Sequence, residues 1–513
     1  MRVLFLYPNH RGMNMLPPAI GLLSSCLKRE GHIVDLFDTT HYDAVKIDGE
    51  VDTKDSDASK GDRLMARPFK MPKEVTLKKS DVYEDFVEKV ESFGPDLIAF
   101  STTEDMYHLG VRLLNCIKHL NILTIAGGVF PTFAPELVLN QDGIDIVCKG
   151  EGEDALVELC RRLEKSQSYD DINNLWVNTK NGIKSNPTKM IDMDSNPLID
   201  MSLFEEARFY RPMGGEVYRM FPVETHRGCP YKCAYCNSPS QMLMYKEEAN
   251  SNYLRRKSFE NMRRELEFYK YEMKAEYLYF WADTFFSWGR SELEAFAEMY
   301  KDINLPFWMQ TRPETINKKR MDLIKEMGCA RISFGVEHGN EAFRAKFLQR
   351  KMKNELITAR MNTINEYDIP YSVNNVIGFP YETREIAMDT VRLNKTFKAN
   401  DRNAYSFTPF AGTPLRKVAE ELGFIKKEDI VRSVIVNGSI IDMPQFPQKD
   451  VLGLVKTFNM YVNFPEDRWP EIRRAEQDDN LYEKLKIEYI DKFWNEEISF
   501  EQSSQEVIPL ISN

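Results

Sequence analysis

Three cysteines, Cys229, Cys233 and Cys236, stand at C-x3-C-x2-C spacing in Glu224-Thr-His-Arg-Gly-Cys-Pro-Tyr-Lys-Cys-Ala-Tyr-Cys-Asn237, directly after the apolar run Met220 to Val223. That run reads as a strand, which puts the thiols on the loop at its carboxyl end. Three thiols so close on one loop can converge on one inorganic centre, and soft sulfur ligands suit iron–sulfur clusters or zinc. A structural zinc site is closed by four ligands, and His226, just before the triplet, is the fourth ligand of that alternative. On a four-iron cluster, three cysteines leave one iron open to a substrate or cofactor.

A chain of 513 residues holds two or three domains. Its formal net charge of −11 disfavours a nucleic-acid partner, because phosphate binding draws its affinity from Lys and Arg. No run approaches the ~20 apolar residues of a membrane span, and the start, Met1-Arg-Val-Leu-Phe-Leu-Tyr-Pro8, is not a signal peptide. A reducing, cytoplasmic location is therefore expected. Cys26, Cys116, Cys148, Cys160 and Cys329 fall in apolar patterns and read as core residues.

Over residues 1–170, short apolar runs (Val3 to Tyr7, Ile33 to Phe37, Leu97 to Ser101, Leu123 to Ala126, Asp145 to Cys148) alternate with helical patterns, which predicts a Rossmann-like (flavodoxin-like) α/β domain with a parallel sheet. Residues from about 38 to 80 are polar with little periodicity and read as a long, partly mobile insertion. Ligands on such sheets bind beyond the carboxyl ends of the strands. There lie Asn9 and His10, Ser101, Thr102 and Thr103, Gly127 and Gly128, and Gly150 and Glu151. A hairpin around Lys180-Asn-Gly182 and a connector occupy 171–215. Residues 216–415 carry six strand-like runs, from Met220 to Glu224 through to Ala404 to Phe410, which predicts a partial (β/α)6 barrel with its chemistry at the strand ends. Residues 416–513 read as mainly helical, their aromatic residues as core, and their Ser-rich end as frayed.

The cysteine loop, including Tyr235, resembles the signature of radical S-adenosylmethionine (SAM) enzymes. In that family SAM chelates the open iron, and an electron from the [4Fe-4S] cluster cleaves it to methionine and a 5'-deoxyadenosyl radical. Further stretches resemble the family's strand-end motifs. Phe280-Trp-Ala-Asp-Thr-Phe-Phe286 implies Asp283 and Thr284 as contacts of SAM, and Gly335-Val-Glu-His-Gly339 implies Glu337. Asn374-Asn-Val-Ile-Gly-Phe-Pro-Tyr-Glu-Thr383 implies Asn375, Val376 and Gly378 near the adenine, and Thr408 to Pro414 looks like the sixth ending. Gln310 and Arg312, at the third strand's end, are further candidates, with a salt bridge inside the barrel as the alternative for Arg312.

The first domain resembles the cobalamin (B12) binding domain that precedes the barrel in one branch of the family, through Leu16-Pro-Pro-Ala-Ile-Gly-Leu22, Gly127-Gly-Val-Phe-Pro-Thr-Phe-Ala-Pro-Glu136 and Gly150-Glu-Gly-Glu-Asp154. That adds Val129 and Pro131 to the cobalamin candidates named above. The D-x-H-x-x-G motif that gives cobalt a histidine in other B12 proteins is absent; Asp105, His108 and Gly110 match it only loosely. The resemblance implies a cobalamin-dependent radical SAM methyltransferase acting on an unactivated carbon of a small molecule, through methylcobalamin and a substrate radical. A flavodoxin- or ferredoxin-like protein would donate the electron. The alternatives are oxidative cyclisation or rearrangement with the same cofactors, and a non-catalytic sensor.

Overall fold

The computed structural model describes residues 1–47, 50–52, 56–432 and 438–494. The Ser-rich end lies outside the described residues.

The first part runs β1 (Arg2–Tyr7), α1 (Pro18–Arg29), β2 (Ile33–Asp38), β3 (Val45–Ile47), β4 (Glu50–Asp52), α2 (Ser56–Asp62), α3 (Val82–Phe93), β5 (Leu97–Ser101), α4 (Tyr107–Cys116), β6 (Leu123–Gly127), α5 (Val129–Phe133), α6 (Pro135–Leu139), β7 (Ile146–Cys148), α7 (Glu153–Glu164), β8 (Leu175–Thr179) and β9 (Gly182–Ser185). Its sheet has the order β2-β1-β5-β6-β7-β8-β9. Strands from β2 to β7 are parallel, and the β8–β9 hairpin extends the sheet in antiparallel pairing. The parallel portion has the flavodoxin-like strand order, which places a switch point at the β1/β5 boundary. Val3, Leu4, Phe5 and Leu6 are all buried, as expected of strands covered on both faces.

The second part contains β10 (Tyr210–Met213), β11 (Glu216–Glu224), β12 (His226–Arg227), α8 (Ser238–Glu248), β13 (Arg255–Arg256), α9 (Phe259–Glu267), β14 (Tyr277–Trp281), α10 (Arg290–Tyr300), β15 (Phe307–Thr311), α11 (Lys318–Glu326), β16 (Cys329–Glu337), α12 (Glu341–Lys346), α13 (Asn354–Asn365), β17 (Tyr371–Ile377), α14 (Arg384–Asn394), β18 (Asp401–Ser406) and α15 (Pro414–Glu421). Six parallel strands, β11-β14-β15-β16-β17-β18, curl into an open barrel, and β10 is added antiparallel at one edge. The sixth strand starts at Asp401, three residues before the expected Ala404, and ends at Ser406. Its polar opening residues belong to the strand because Asp401 and Asn403 line the half-exposed concave face.

A helical layer of α16 (Gln448–Asn463), α17 (Trp469–Ala475) and α18 (Asp479–Tyr489) packs beside β18. Phe458, Tyr461, Phe464 and Tyr489 are core residues there.

Part of the insertion is anchored to the rest of the chain. Leu64 and Met65 are each 3% exposed. Asn459 of α16 donates to the Leu64 and Arg402 carbonyls at 2.9 Å, and Lys486 pairs with Asp62 at 3.0 Å. The Met65 sulfur accepts from the Ala404 amide on edge strand β18 at 3.2 Å. At the other edge, a Cβ built on Gly215, in the β10–β11 turn, lies 3.7 Å from the Pro68 carbonyl. Residues 64–68 therefore bond to one edge of the open barrel and lie close to the other. A few buried anchors in a polar stretch leave no periodicity to read, so the sequence does not show them.

Candidate active site between the two sheets

The cysteine loop leaves β11 and is pinned at its start by the short β12–β13 pairing. Cys229 Sγ lies 3.6 Å from Thr284 Oγ1, and Cys236 Sγ accepts from the Ser238 amide at 3.4 Å at the start of α8. Cys233 is buried, with Arg312 Nη1 at 3.0 Å and Arg350 Nη1 at 3.7 Å from its sulfur. Burial pushes the Cys229 thiol up and the Cys236 thiol up to about 11. A metal that takes these sulfurs as thiolates must therefore displace their protons.

His226 is unsuited to zinc. Its Nδ1 bonds Thr225 Oγ1 at 3.0 Å, and its Nε2 faces the Thr284 carbonyl at 3.2 Å and Ser287 Oγ at 2.8 Å. Among the described residues, no three His, Cys, Asp or Glu side chains close around a single ion. Thiolates of a cluster each hold a different iron and stand apart, so an open triplet with its histidine already committed fits a cluster better than one zinc ion.

The candidates for SAM surround this loop unevenly. Tyr235 accepts from Arg350 Nη1 at 3.0 Å, and Arg350 also approaches Glu337 at 3.7 Å. Glu337 has φ +69 at an irregularity in the β16–β17 register, a strained conformation of the kind found at functional sites. Burial pushes its carboxyl up, and Arg350 opposes that shift. Asp283 is exposed and accepts from Ser238 Oγ at 2.6 Å; Thr284 is buried and donates to the Asp283 carbonyl. Gln310 donates to the Ala282 carbonyl at 2.9 Å. Arg312 stacks 3.7 Å over Tyr231 and pairs with Glu314 at 2.5 Å, while also reaching Cys233.

In the fifth-strand motif the structure separates neighbours. Val376 is half-buried on the concave face, whereas Asn375 is fully buried on the helix side, held by Asn394 at 2.8 Å and by the Asn403 carbonyl at 3.1 Å. The Asn375 side chain is therefore committed to packing α14, a correction to its assignment as a contact. The Gly378 amide donates to Glu382 Oε2 at 2.6 Å, and Glu382 also meets buried His338 at 3.0 Å. Arg350 and Glu382 organise the site without having been singled out in the sequence. Glu382 lies within a quoted motif, but Arg350 is outside them all.

Beyond the carboxyl ends of the first sheet lies a cavity of about 930 Å³, lined from that side by Asn9, Ser101, Thr102, Thr103, Gly127, Gly128, Val129, Gly150 and Glu151, and from the barrel by Tyr235, Cys236, Trp281 and Asp283. Gly128 is required by geometry: at φ +116 its Cβ would stand 2.4 Å from the Thr102 carbonyl. His10 and Pro131 are not among the lining residues; both are buried instead, Pro131 within α5. Gly110 serves packing, since a Cβ there would meet the Phe100 ring at 2.1 Å, so its loose match to the cobalt motif has a structural cause. Glu151 is engaged by Arg227 at 2.6 Å, by Arg255, and by the Ile191 amide at 3.0 Å. Its carboxylate therefore ties the two halves together at the cavity rim. Buried Glu104 does the same, accepting from Arg416 at 3.0 Å and from the Ala411 and Val431 amides at 2.7 and 3.0 Å.

The family model described as the radical SAM superfamily matches residues 223–393, and that of the B12 binding domain matches residues 71–160. An uncharacterized methyltransferase of Pyrococcus horikoshii, PH0819, is 24% identical over 346 residues, covering 66% of this chain and 72% of its own. Two solved structures share the fold. The radical SAM methyltransferase TsrM from Kitasatospora setae, with cobalamin and a [4Fe-4S] cluster bound, has a TM-score of 0.60 at 17% identity over 83% of this chain and 75% of its own. The cobalamin-dependent SAM radical enzyme OxsB, with aqua-cobalamin and SAM bound, has a TM-score of 0.64 at 14% identity over 97% of this chain and 71% of its own. The chain belongs to the radical SAM enzymes that carry an amino-terminal B12-binding domain.

Proposed function

We propose that this enzyme is a cobalamin-dependent radical SAM methyltransferase acting on a carbon of a small-molecule substrate. One observation carries the reading: the cysteine loop and the glycine-rich ends of the first sheet line the same cavity of about 930 Å³. When bound, a [4Fe-4S] cluster supplies the electron that cleaves SAM, and cobalamin supplies a methyl carrier.

The protein holds and orients these groups. Cys229, Cys233 and Cys236 hold the cluster, with Arg312 and Arg350 fixing the position of the Cys233 sulfur. Asp283 and Glu337 present carboxylates suited to the amino and ribose donors of SAM. The bare backbone at Gly128 lets a corrin ring lie close to Thr102. Glu104 and Glu151, each paired to arginine across the seam, keep the two cofactor sites in register. An external one-electron donor of the flavodoxin or ferredoxin kind completes the scheme. Among the described residues no helix is long and apolar enough to cross a membrane.

The test is anaerobic reconstitution followed by incubation with SAM and reductant. Release of S-adenosylhomocysteine that depends on added cobalamin, alongside 5'-deoxyadenosine, is the expected result. Formation of 5'-deoxyadenosine with no S-adenosylhomocysteine would reject methyl transfer and leave rearrangement as the chemistry.

A further inference from the structure

The concave face of the second sheet is not accounted for by the cofactors. Parallel barrels ordinarily fill their interior with branched aliphatic side chains. Here Trp308 sits beside Arg331, Gln310 beside Ser333, Ser372 beside Asp401 and Asn374 beside Asn403, with most of these side chains half-exposed.

Two chemistries divide this surface. On one side Tyr279 meets Trp281 and Trp308 at ring-centroid distances of 5.9 and 6.2 Å. The aromatic row emerges at Trp281, which is 38% exposed and lines the large cavity together with Asp283. An exposed indole there offers a flat π face. Next to this row three guanidiniums gather. Arg331 pairs with Asp401, and Arg67, from the insertion, approaches the same carboxylate at 4.0 Å. Arg211 lies 4.7 Å over the Tyr279 ring, and its Nη1 is buried with no hydrogen-bond partner among the described residues. A buried donor without an acceptor is costly unless a ligand supplies one, and the guanidinium fork matches carboxylate or phosphate.

We propose that the open barrel takes a planar organic acid, its ring against Trp281 and its carboxylate or phosphate among Arg67, Arg211 and Arg331. This substrate class rests on the methyl-transfer reading and narrows it. It also gives the insertion a part in substrate choice, through Arg67.

The test measures binding to cluster- and corrinoid-loaded enzyme by calorimetry, using indole-3-acetate against indole-3-acetamide and benzyl phosphate against benzyl alcohol. In at least one pair the acid binds about tenfold tighter than its neutral partner, about 1.4 kcal/mol, and the pair that responds tells carboxylate from phosphate. Arg211→Gln, and separately Arg67→Gln on the insertion, bring that ratio close to one. Trp281→Leu weakens both members of the responding pair alike. Equal binding of acids and neutral partners, an unchanged ratio in both arginine variants, or no binding at millimolar concentration overturns the proposal. SAM cleavage and corrinoid uptake are read in the same preparations. If they persist while acid preference is absent, only the substrate class fails; if they are absent, the methyl-transfer reading fails first.

Discussion

Along β1 of the first sheet Val3, Leu4, Phe5 and Leu6 are all buried, whereas along β16 of the second, buried Ile332, Phe334 and Val336 alternate with half-exposed Arg331, Gly335 and Glu337. Both sheets come from the same alternation of strands and helices. A sheet covered on both faces has no face left for a ligand, so its contacts fall to the loops at its strand ends, as at Thr102, Gly128 and Gly150. A half-open barrel keeps one face free and can carry polar chemistry along the strands themselves.

The largest effect separates the two sheets by cofactor. Cys233→Ser removes a proposed cluster ligand whose sulfur is held by two arginines, and is expected to strip the iron and lower reductive SAM cleavage by at least about a hundredfold. Corrinoid uptake should stay as in the parent, because every residue assigned to it on the first sheet is intact. Iron analysis and a corrinoid titration on one sample decide this; joint loss of both cofactors would mean that the sheets do not act independently.

Gly128→Ala is the reciprocal change, and a smaller one. The new Cβ must clear the Thr102 carbonyl from 2.4 Å at a backbone φ of +116. The strain is about 1–3 kcal/mol, read as a lower Tm, and the same displacement should weaken corrinoid binding about tenfold with iron content unchanged. Normal corrinoid uptake in this variant would remove Gly128 from the cobalamin site.

The two sheets also differ in how well the sequence disclosed them. The first has continuous apolar strands and glycine-marked ends, so its strands and most of its cavity lining were legible; Leu97–Ser101 was read to the residue. His10 and Pro131 do not line the cavity: a loop position does not say which way the His10 side chain turns, and Pro131 is buried within α5. In the second sheet the cysteine loop and strand-end motifs were legible as local strings. The polar face was not, since Asp401, Asn403, Asn374 and Ser333 become a surface only when three strands pair. Arg350, the insertion's anchors and the Glu104–Arg416 pair were hidden for the same reason: each acts over a separation in the chain that leaves no local pattern.

Asn374 and Asn375 give the sharpest test of the two-faced strand, because they are sequence neighbours on opposite sides. Asn375→Leu removes the donor to the Asn403 carbonyl and one of the two acceptors of the fully buried Asn394 amide, which keeps the Thr390 carbonyl at 2.8 Å, and is expected to cost about 2 kcal/mol. Asn374→Ala breaks a bond of 2.9 Å to Ser333 and one of 2.8 Å from Asn403 on the half-exposed face, at less than about 1 kcal/mol. It should instead lower substrate turnover. Denaturant unfolding of both variants checks the contrast, and equal losses of stability would mean that the concave face is ordinary core.

The smallest effect concerns pH. Burial holds the His226 imidazole below its ordinary value of 6.5, so the folded protein keeps the ring neutral while the unfolded chain protonates. Above 6.5 both states are neutral and this stability is fully present. As pH falls from 6.5 toward the lower folded value, the unfolded state binds the extra proton and stability declines, by at most about 1.4 kcal/mol per pH unit. His41 and His108 are lowered by burial as well and act in the same direction. Buried Glu104 and Glu337, whose carboxyls are raised, act in the opposite sense over a window that begins at the ordinary carboxylate value. Comparing the unfolding free energy of the parent and of His226→Gln at pH 7 and at pH 5.5 isolates the one ring. The variant should lose less stability between the two values, and parallel curves would show that His226 is as readily protonated in the fold as outside it.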